Sequence, residues 1–330
     1  MRWDRLSACR LFHCGIFPLI LLAAPSARTQ SNTVERGEVE ILPVQGNVYM
    51  LATDGANVTI QVGRNGILLV DTQSARLTDK ILAAVRKLSD QPIRYVINTS
   101  VDEDHTGGNE GIARTGALPS DIPLINTPGA TAKESVQILA HLNVLNHMSV
   151  PAKERAPVPS AVWPTDTYSG NEKELYFNGE GIQMIHIPAA HTDGDTLAYF
   201  CRSDVISVGD LFVTTGYPVI DLERGGSLKG VIAGLNRILD LAIPAHHEEG
   251  GTYVIPGHGG LCDEFDVLEY RDMVTIIRDR IQAMIRKGMT LEQVQASRPT
   301  LDYDPRYGAI SGPWITARFV EAAYKSLKKN

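Results

Sequence analysis

The segment that decides the fold is Ser100–Asn109, which reads SVDEDHTGGN and comes just after the apolar run YVIN at residues 95–98. The apolar run predicts a buried strand, and donor side chains on the turn that leaves such a strand can converge on one point. The glycine pair that follows permits a tight turn into a helix. Taken alone, the segment also fits a solvated acidic turn at a helix start, so other segments must decide.

Four further donor residues follow apolar runs elsewhere in the chain, and small residues accompany them. Open sheets present their reactive groups at such strand ends. One histidine in such a place has an ordinary structural explanation, but an ordered set of donors predicts a shared site. The four are Asp71, His191, Asp210 and His258.

This ordered set resembles the five motifs of the metallo-β-lactamase superfamily, over roughly Val39 to Asp266. The resemblance implies an α/β fold of the αββα type, in which two mixed β-sheets are flanked by helices and metal ions bind between the sheets. It also implies that Asp71 supports the metal-binding loops. In the same way, His191, Asp210 and His258 match the third, fourth and fifth motifs.

The second motif of the family reads H-x-H-x-D-H, and this chain has Ser100 and Asp102 in place of its two leading histidines. The resemblance implies an intact second metal position made of Asp104, His105, His258 and the bridging Asp210. These donors suit Zn²⁺, with Mn²⁺ or Fe²⁺ as alternatives.

At the first metal position the resemblance leaves His191 and Asp210, with Asp102 as a substitute ligand. A carboxylate in place of an imidazole adds negative charge and favours harder metals. Ser100 is a poor ligand and is expected to hold a water or to support a ligand. The first position is therefore expected to be weak, altered or empty, so that one or two ions bind.

Three functions remain open on these residues. The first is a metal-dependent hydrolase, in which metal-bound hydroxide attacks a carbonyl or ester-like group of a small-molecule substrate and Asp104 orients or deprotonates the water. The second is a non-catalytic or attenuated member of the fold that binds a metal or ligand, as the exchanged residues Ser100 and Asp102 suggest. The third is an iron-dependent oxidoreductase or sulfur-handling relative.

The hydrophobic pattern predicts a β-meander followed by alternating strands and helices. Four short β-like runs lie between Val39 and Asp71, and helical periodicity follows at Thr78–Leu88 and Leu228–Leu241. Residues 142–170, with four prolines, predict a long loop. We expect a metallo-β-lactamase-like domain over residues 39–285 and a small helical extension over residues 286–330.

The N-terminus predicts export to the periplasm or the outside of the cell. Arginines precede an apolar stretch from Leu11 to Ala24 and small residues up to Ala27, which is typical of a cleaved signal peptide over residues 1–27. No stable membrane span is expected after cleavage. The mature chain then keeps Cys201 and Cys262, for which either one disulfide or two buried thiols are expected.

The chain has a net charge of −7 and no basic stripe, which argues against a nucleic-acid partner. The remaining histidines carry less weight. His246 and His247 are expected in an exposed loop, and His186 as a satisfied core residue. His141 and His147 flank a predicted helix end and could face the cleft, although surface positions are the more common for such histidines. Neither the substrate nor the oligomeric state follows from the sequence.

Overall fold

Two β-sheets face each other across an apolar layer. The computed structural model describes residues 37–115, 136–150, 158–247 and 250–328. Within them, the first sheet has seven strands in chain order, antiparallel from β1 to β4 and parallel from β4 to β7. Its strands are β1 (Glu40–Gln45), β2 (Val48–Ala52), β3 (Val58–Gly63), β4 (Gly66–Val70), β5 (Ile93–Ile97), β6 (Gln137–His141) and β7 (Asp166–Tyr168).

The second sheet has five strands in the order β12-β11-β10-β9-β8 within the described residues. Its neighbours are antiparallel except for β11 and β12, which run parallel. The predicted β-meander and the later strands are thus present, with bounds shifted by one or two residues. These strands are β8 (Glu172–Phe177), β9 (Glu180–Ile187), β10 (Asp195–Phe200), β11 (Val205–Ser207) and β12 (Tyr253–Ile255).

Helices cover the outer face of each sheet. The inner layer contains side chains such as Met50 and Phe200 from opposite sheets. The first sheet packs outward on α1, which buries Ile81 and Val85, and the second packs on α5 and α6. This four-layer αββα arrangement confirms the predicted fold. The helices are α1 (Thr78–Leu88), α2 (Glu103–Thr106), α3 (Asn109–Thr115), α4 (Leu142–Ser149), α5 (Leu228–Leu241), α6 (Glu264–Arg286), α7 (Leu291–Ala296), α8 (Asp304–Tyr307) and α9 (Thr316–Lys328).

The prediction of a long loop over residues 142–170 is wrong in its described part. Helix α4 occupies its start because Val144 and Met148, one turn apart, are both buried against Ala140. Strand β7 lies near its end and is only three residues long, too short for an alternating pattern to show. Residues 151–157 lie outside the described part.

The C-terminal helices are present, and they belong to the same apolar cluster as α5 and α6. Phe319 and Ala323 of α9 are fully buried there. The Tyr217 hydroxyl also donates a hydrogen bond to Asp304 Oδ1, at 2.9 Å, which ties α8 to the loop after the fourth motif. The division of the chain near residue 286 stays a prediction.

Several predictions concern the ends of the chain and the cysteines. The signal peptide lies outside the described residues, so export stays a prediction. In the part that the structure describes, no helix is both long and apolar enough to cross a membrane. Cys201 is exposed and Cys262 is buried, and both thiols are free, so neither the disulfide nor the pair of buried thiols is found.

Candidate metal centre

The sequence-predicted donors come together at strand ends. Asp71 follows β4, residues 100–105 follow β5, His191 lies between β9 and β10, Asp210 lies in a 3₁₀ turn after β11, and His258 follows β12. Within the described residues, their donor atoms form two groups in which every atom lies within 4.8 Å of the others. The first group is Asp102, His191 and Asp210, and the second group is Asp104, His105 and His258. Asp210 also contacts the second group, through its Oδ1, and is counted with both.

Asp71 contacts the second group through His105. Its Oδ2 lies 2.7 Å from His105 Nδ1 and accepts a hydrogen bond from the Thr99 hydroxyl at 2.6 Å, while its Oδ1 accepts one from the Thr99 backbone N–H at 2.8 Å. The backbone of Asp71 has a φ of +65°, a region that aspartate and asparagine tolerate better than most residues. The carboxylate therefore orients His105 with Nε2 pointing away from Asp71.

The second group has the spacing of ligands on one ion. His258 Nε2 lies 3.3 Å from both Asp104 Oδ2 and Asp210 Oδ1, and His105 Nε2 lies 3.3 Å from Asp210 Oδ1. Two atoms each about 2.1 Å from a tetrahedral ion lie about 3.4 Å apart. Moreover, His105 Nε2 and Asp210 Oδ1 are buried atoms without a hydrogen-bond partner among the described residues. The residues present thus fit a divalent cation.

The first group has a different geometry. His191 Nε2 lies 2.7 Å from Asp102 Oδ2, which is a hydrogen-bond distance, and 3.8 Å from Asp210 Oδ2. His191 Nδ1 lies 3.0 Å from the Val219 carbonyl oxygen, so Nδ1 donates its proton there. The other oxygen of Asp102, Oδ1, accepts a hydrogen bond from Arg224 Nη1 at 2.5 Å. Asp102 is thus held between a histidine and an arginine.

Arg224 is the residue that the sequence does not reveal. It stands 122 positions from Asp102, between Glu223 and Gly225, and belongs to none of the five motifs. Ser100 is fully buried, and its hydroxyl accepts a hydrogen bond from the Asp102 backbone N–H at 3.3 Å. Ser100 therefore supports the turn that carries Asp102.

The carboxylates and histidines of the site shift one another's pKa values. Although burial opposes its ionisation, the hydrogen bond from His191 lowers the pKa of Asp102 to about 2. Burial likewise opposes protonation of His191 and His258, but their carboxylate partners raise the pKa of His191 to about 10 and that of His258 to about 9. The site therefore favours positive charge strongly.

In His105 and Asp210, the two most buried groups of the site, the effect of neighbouring charges on the pKa also outweighs the effect of burial. Burial disfavours the charged form of His105, yet the charges of Asp210 and Asp71 raise its pKa well above 6.5. Burial also opposes ionisation of Asp210, and His105 and His258 nevertheless hold its pKa well below 3.8. For Asp104 the hydrogen bond from His258 outweighs burial and lowers the pKa. All three site carboxylates are therefore ionised at neutral pH.

Glycines allow the loops to approach the ligands closely. Gly209 has a φ of +53°, and a Cβ there would lie 2.2 Å from the Thr99 hydroxyl oxygen. A Cβ on Gly257 would lie 2.6 Å from Asp210 Oδ1. A side chain at either position would push apart the loops that carry Asp210 and His258, so both glycines are required by the geometry of the site.

The other histidines lie outside these two groups. His246 and His247 are exposed, as predicted. His141 is buried and stacks on His186 with ring centroids 3.6 Å apart, so the surface position favoured for it is wrong. His186 is only partly buried, and its Nε2 contacts the carbonyl oxygen of Asp193 at 2.8 Å. His147 pairs with the Asp193 carboxylate at 2.7 Å.

A cavity of about 930 Å³ opens onto the first group. Asp102 and His191 lie at one side of it, and helix α9 forms another wall with Ala322 and Lys325. Trp314, just before α9, also lines it. This volume is that of a small-molecule site, and its walls combine apolar and charged side chains. The C-terminal helix thus shapes the space in front of the ligands.

Comparison with known proteins gives one family and two curated relatives. The family model of the metallo-beta-lactamase superfamily matches residues 43–258. The alpha subunit of 2,4-dinitroanisole O-demethylase from Nocardioides sp. (strain JS1661) is 26% identical over 213 residues, which are 62% of this chain and 56% of that protein. Linear primary-alkylsulfatase from Pseudomonas sp. (strain ATCC 19151) is 21% identical over 257 residues, 69% of this chain and 47% of that protein.

The chain therefore spans about half the length of these curated relatives. Among solved structures, a stereoselective inverting sec-alkylsulfatase from Pseudomonas sp. superposes with a TM-score of 0.62 at 18% sequence identity. That match covers 87% of this chain and 50% of the alkylsulfatase. At this identity the likeness concerns the fold alone.

Proposed function

Because the chain belongs to the metallo-β-lactamase superfamily, we propose that it is a metal-dependent hydrolase of a small molecule with an ester-like bond. The observation that carries the proposal is the second ligand group, in which three pairs of donor atoms are each 3.3 Å apart. Residues Asp104, His105, Asp210 and His258 would hold the ion, which we propose to be Zn²⁺, with Mn²⁺ or Fe²⁺ as alternatives. A divalent cation there supplies a positive charge that stabilises negative charge developing on the substrate oxygen.

Other roles in the proposed reaction belong to groups around the ion: one accepts a proton, and others orient the histidines. Asp104 is the more exposed of the second-group carboxylates, with 38% of its side chain accessible against 10% for Asp210. It can therefore accept a proton from an attacking water while Asp210 stays buried. Asp71 fixes the orientation of His105, and the Val219 carbonyl oxygen fixes that of His191.

The cavity supports the choice of a small-molecule substrate. Its volume of about 930 Å³ and its mixed lining suit an organic molecule with an apolar part and a polar group directed at Asp102 and His191. Both curated relatives are named for reactions of small organic molecules, a methyl ether and alkyl sulfates. We therefore include sulfate esters among the candidate substrates, beside lactams, lactones, thioesters and phosphoesters.

The test is hydrolysis of this panel by the purified full chain, with metal content measured on the same sample. Asp104→Ala is expected to lower the rate at least a hundredfold, because it removes both a ligand and the proton acceptor. Asp166→Ala is the matched control, since its carboxylate only pairs with Lys173 on the surface. Hydrolysis that is the same in Asp104→Ala and in the control would refute the proposal.

A protein that binds metal but hydrolyses nothing in the panel would instead favour the non-catalytic binding member of the fold. The observation behind this second candidate is that Asp102 is bonded to both His191 and Arg224. These bonds occupy a carboxylate that could otherwise be a metal ligand in the first group. We also propose export to the periplasm or the outside of the cell. N-terminal sequencing of the protein recovered from cells would find residues near 28 at the mature N-terminus if the signal peptide is cleaved.

A further inference from the structure

Arg224 places a permanent positive charge at the first metal position. Its Nη1 lies 2.5 Å from Asp102 Oδ1 and 3.6 Å from Asp221 Oδ2. The Arg224 side chain is 18% exposed, so the pair is largely removed from water. An arginine is protonated at every pH a protein survives, and it bonds carboxylates with fixed geometry.

The backbone that carries Arg224 is built onto the loop of His191. The His191 carbonyl oxygen accepts a hydrogen bond from the Asp221 N–H at 2.9 Å, and the Arg224 carbonyl oxygen accepts one from the Asp193 N–H at 2.8 Å. A Cβ on Gly226 would lie 2.2 Å from the His191 carbonyl oxygen. The turn and the histidine loop therefore form one unit, which delivers the guanidinium to Asp102 without a long flexible segment.

The ligand spacings separate the two positions. Donors shared by one tetrahedral ion lie about 3.4 Å apart. At the second position, His258 Nε2 lies 3.3 Å from Asp104 Oδ2, and Asp210 Oδ1 lies 3.3 Å from both His105 Nε2 and His258 Nε2. In the first group the Asp102 to His191 distance is 2.7 Å, which leaves no room for an ion between the two atoms. His191 Nε2 and Asp102 Oδ2 are therefore hydrogen bonded to each other and are not spaced as two ligands of one ion.

We propose that Arg224 is the resident cation of the first position, so that each chain binds one divalent ion, at the second position only. This rests on the proposed function in one respect, that the second group is a metal site. The chain Arg224–Asp102–His191 neutralises the carboxylate that stands where the family has a histidine. It also holds His191 by its Nε2, the atom that would otherwise bind a metal.

The experiment is metal stoichiometry, measured by elemental analysis and by Co²⁺ titration followed by visible absorption. The native chain is expected to bind one equivalent. Arg224→Met frees Asp102 and is expected to bind a second equivalent at saturating Co²⁺, whereas Arg224→Lys keeps the charge and is expected to bind one. Arg318→Met is the control, because this arginine lines the same cavity but donates to the Pro313 carbonyl oxygen.

A second variant keeps the test decisive if Arg224→Met fails to fold. Ser100→His with Asp102→His supplies two imidazoles and removes the partner of Arg224, so it is expected to bind two equivalents. Two ions on the native chain would overturn the proposal, as would a single ion on both altered proteins. Hydrolysis by the native chain is measured separately. If the native chain binds one ion but hydrolyses nothing, only the proposed function is contradicted. If it binds two ions and hydrolyses a substrate, only this inference is contradicted.

Discussion

Asp71→Asn tests whether the site depends on the tautomer of His105. Asp71 Oδ1 accepts the backbone N–H of Thr99, which can only donate, so the amide oxygen of an asparagine must occupy that position. Its NH₂ group then faces His105 Nδ1, where the carboxylate lies 2.7 Å away in the native chain. Nδ1 becomes an acceptor, and the imidazole proton moves to Nε2, the atom that faces Asp210.

The expected loss falls on metal affinity rather than on folding. A protonated Nε2 has no lone pair to give, so the ring must change tautomer or leave the site when the ion binds. Removing such a supporting partner typically costs 10- to 100-fold in affinity, or about 1.4 to 2.7 kcal/mol. Asparagine retains the shape, the acceptor for Thr99 and tolerance of the positive φ, so unfolding free energy without metal should fall by no more than about 1 kcal/mol.

The assay is Zn²⁺ affinity by competition with a chelating dye, together with urea unfolding in the presence of a chelator. Thr99→Val is the matched control, since it removes the 2.6 Å hydrogen bond to the same carboxylate but leaves the histidine tautomer unchanged. We expect that variant to stay within about threefold of the native affinity. An Asp71→Asn affinity within threefold of the native value, or an equal loss in both variants, would refute the reasoning.

Three further outcomes follow from the same structure. Ala322→Trp should raise KM at least tenfold with unchanged metal content, because it fills the cavity in front of the ligands; an unchanged KM would place the substrate elsewhere. Burial and the neighbouring His186 lower the pKa of His141 to about 4, so the unfolded chain binds more protons between pH 6.5 and 4. Relative to His141→Phe, the native chain should therefore lose about 2 kcal/mol of unfolding free energy as pH falls through that window, measured by urea unfolding of both proteins. The comparison is needed because burial raises the pKa of Asp195 to about 6, which acts with the opposite sign in both proteins. Ser227→Ala should cost about 1 kcal/mol of unfolding free energy, because its hydroxyl caps α5 by accepting the Gly230 N–H at 2.9 Å; a loss below about 0.3 kcal/mol would contradict this.

The elements that sequence predicts best are those with strong periodicity and clear ends. Helices α1 and α5 have the bounds predicted for them, Thr78–Leu88 and Leu228–Leu241. In α5 the start coincides with the Ser227 cap, and one face is apolar over four turns, so local signals and packing agree. The strands of the meander are equally visible because turn residues separate them.

The elements that sequence misses are short and are held by packing. Helix α2 has four residues and lies inside the motif, whose polar residues hide it, whereas α3 begins at Asn109, where the glycine pair predicts a turn into a helix. Strand β6 carries buried residues on consecutive positions because both of its faces are covered, so no alternation marks it. Such segments take their structure from neighbours that are distant in sequence.

The two ligand groups of the candidate metal centre differ in the same way: local sequence patterns reveal the second group, but not the contacts of the first. The donors of the second group sit in local motifs at strand ends, so sequence could nominate all of them. The contact between Arg224 and Asp102 joins residues 122 positions apart, and neither residue carries a pattern that names the other. Only the packing of the turn at residues 221–226 against the His191 loop brings them together.

Asp102, for which the sequence resemblance predicts a histidine in related chains, is thus best understood together with Arg224. A carboxylate at that place adds a negative charge beside Asp210, in a buried setting where like charges repel strongly. An added cation is one way to offset it, and a guanidinium fixed by its own turn is another, which needs no ion from solution. The hydrogen bond from His191 to the second oxygen of Asp102 then completes the pair. On this reasoning Asp102 and Arg224 form one structural unit, and changing either residue alone should lower the unfolding free energy more than changing both.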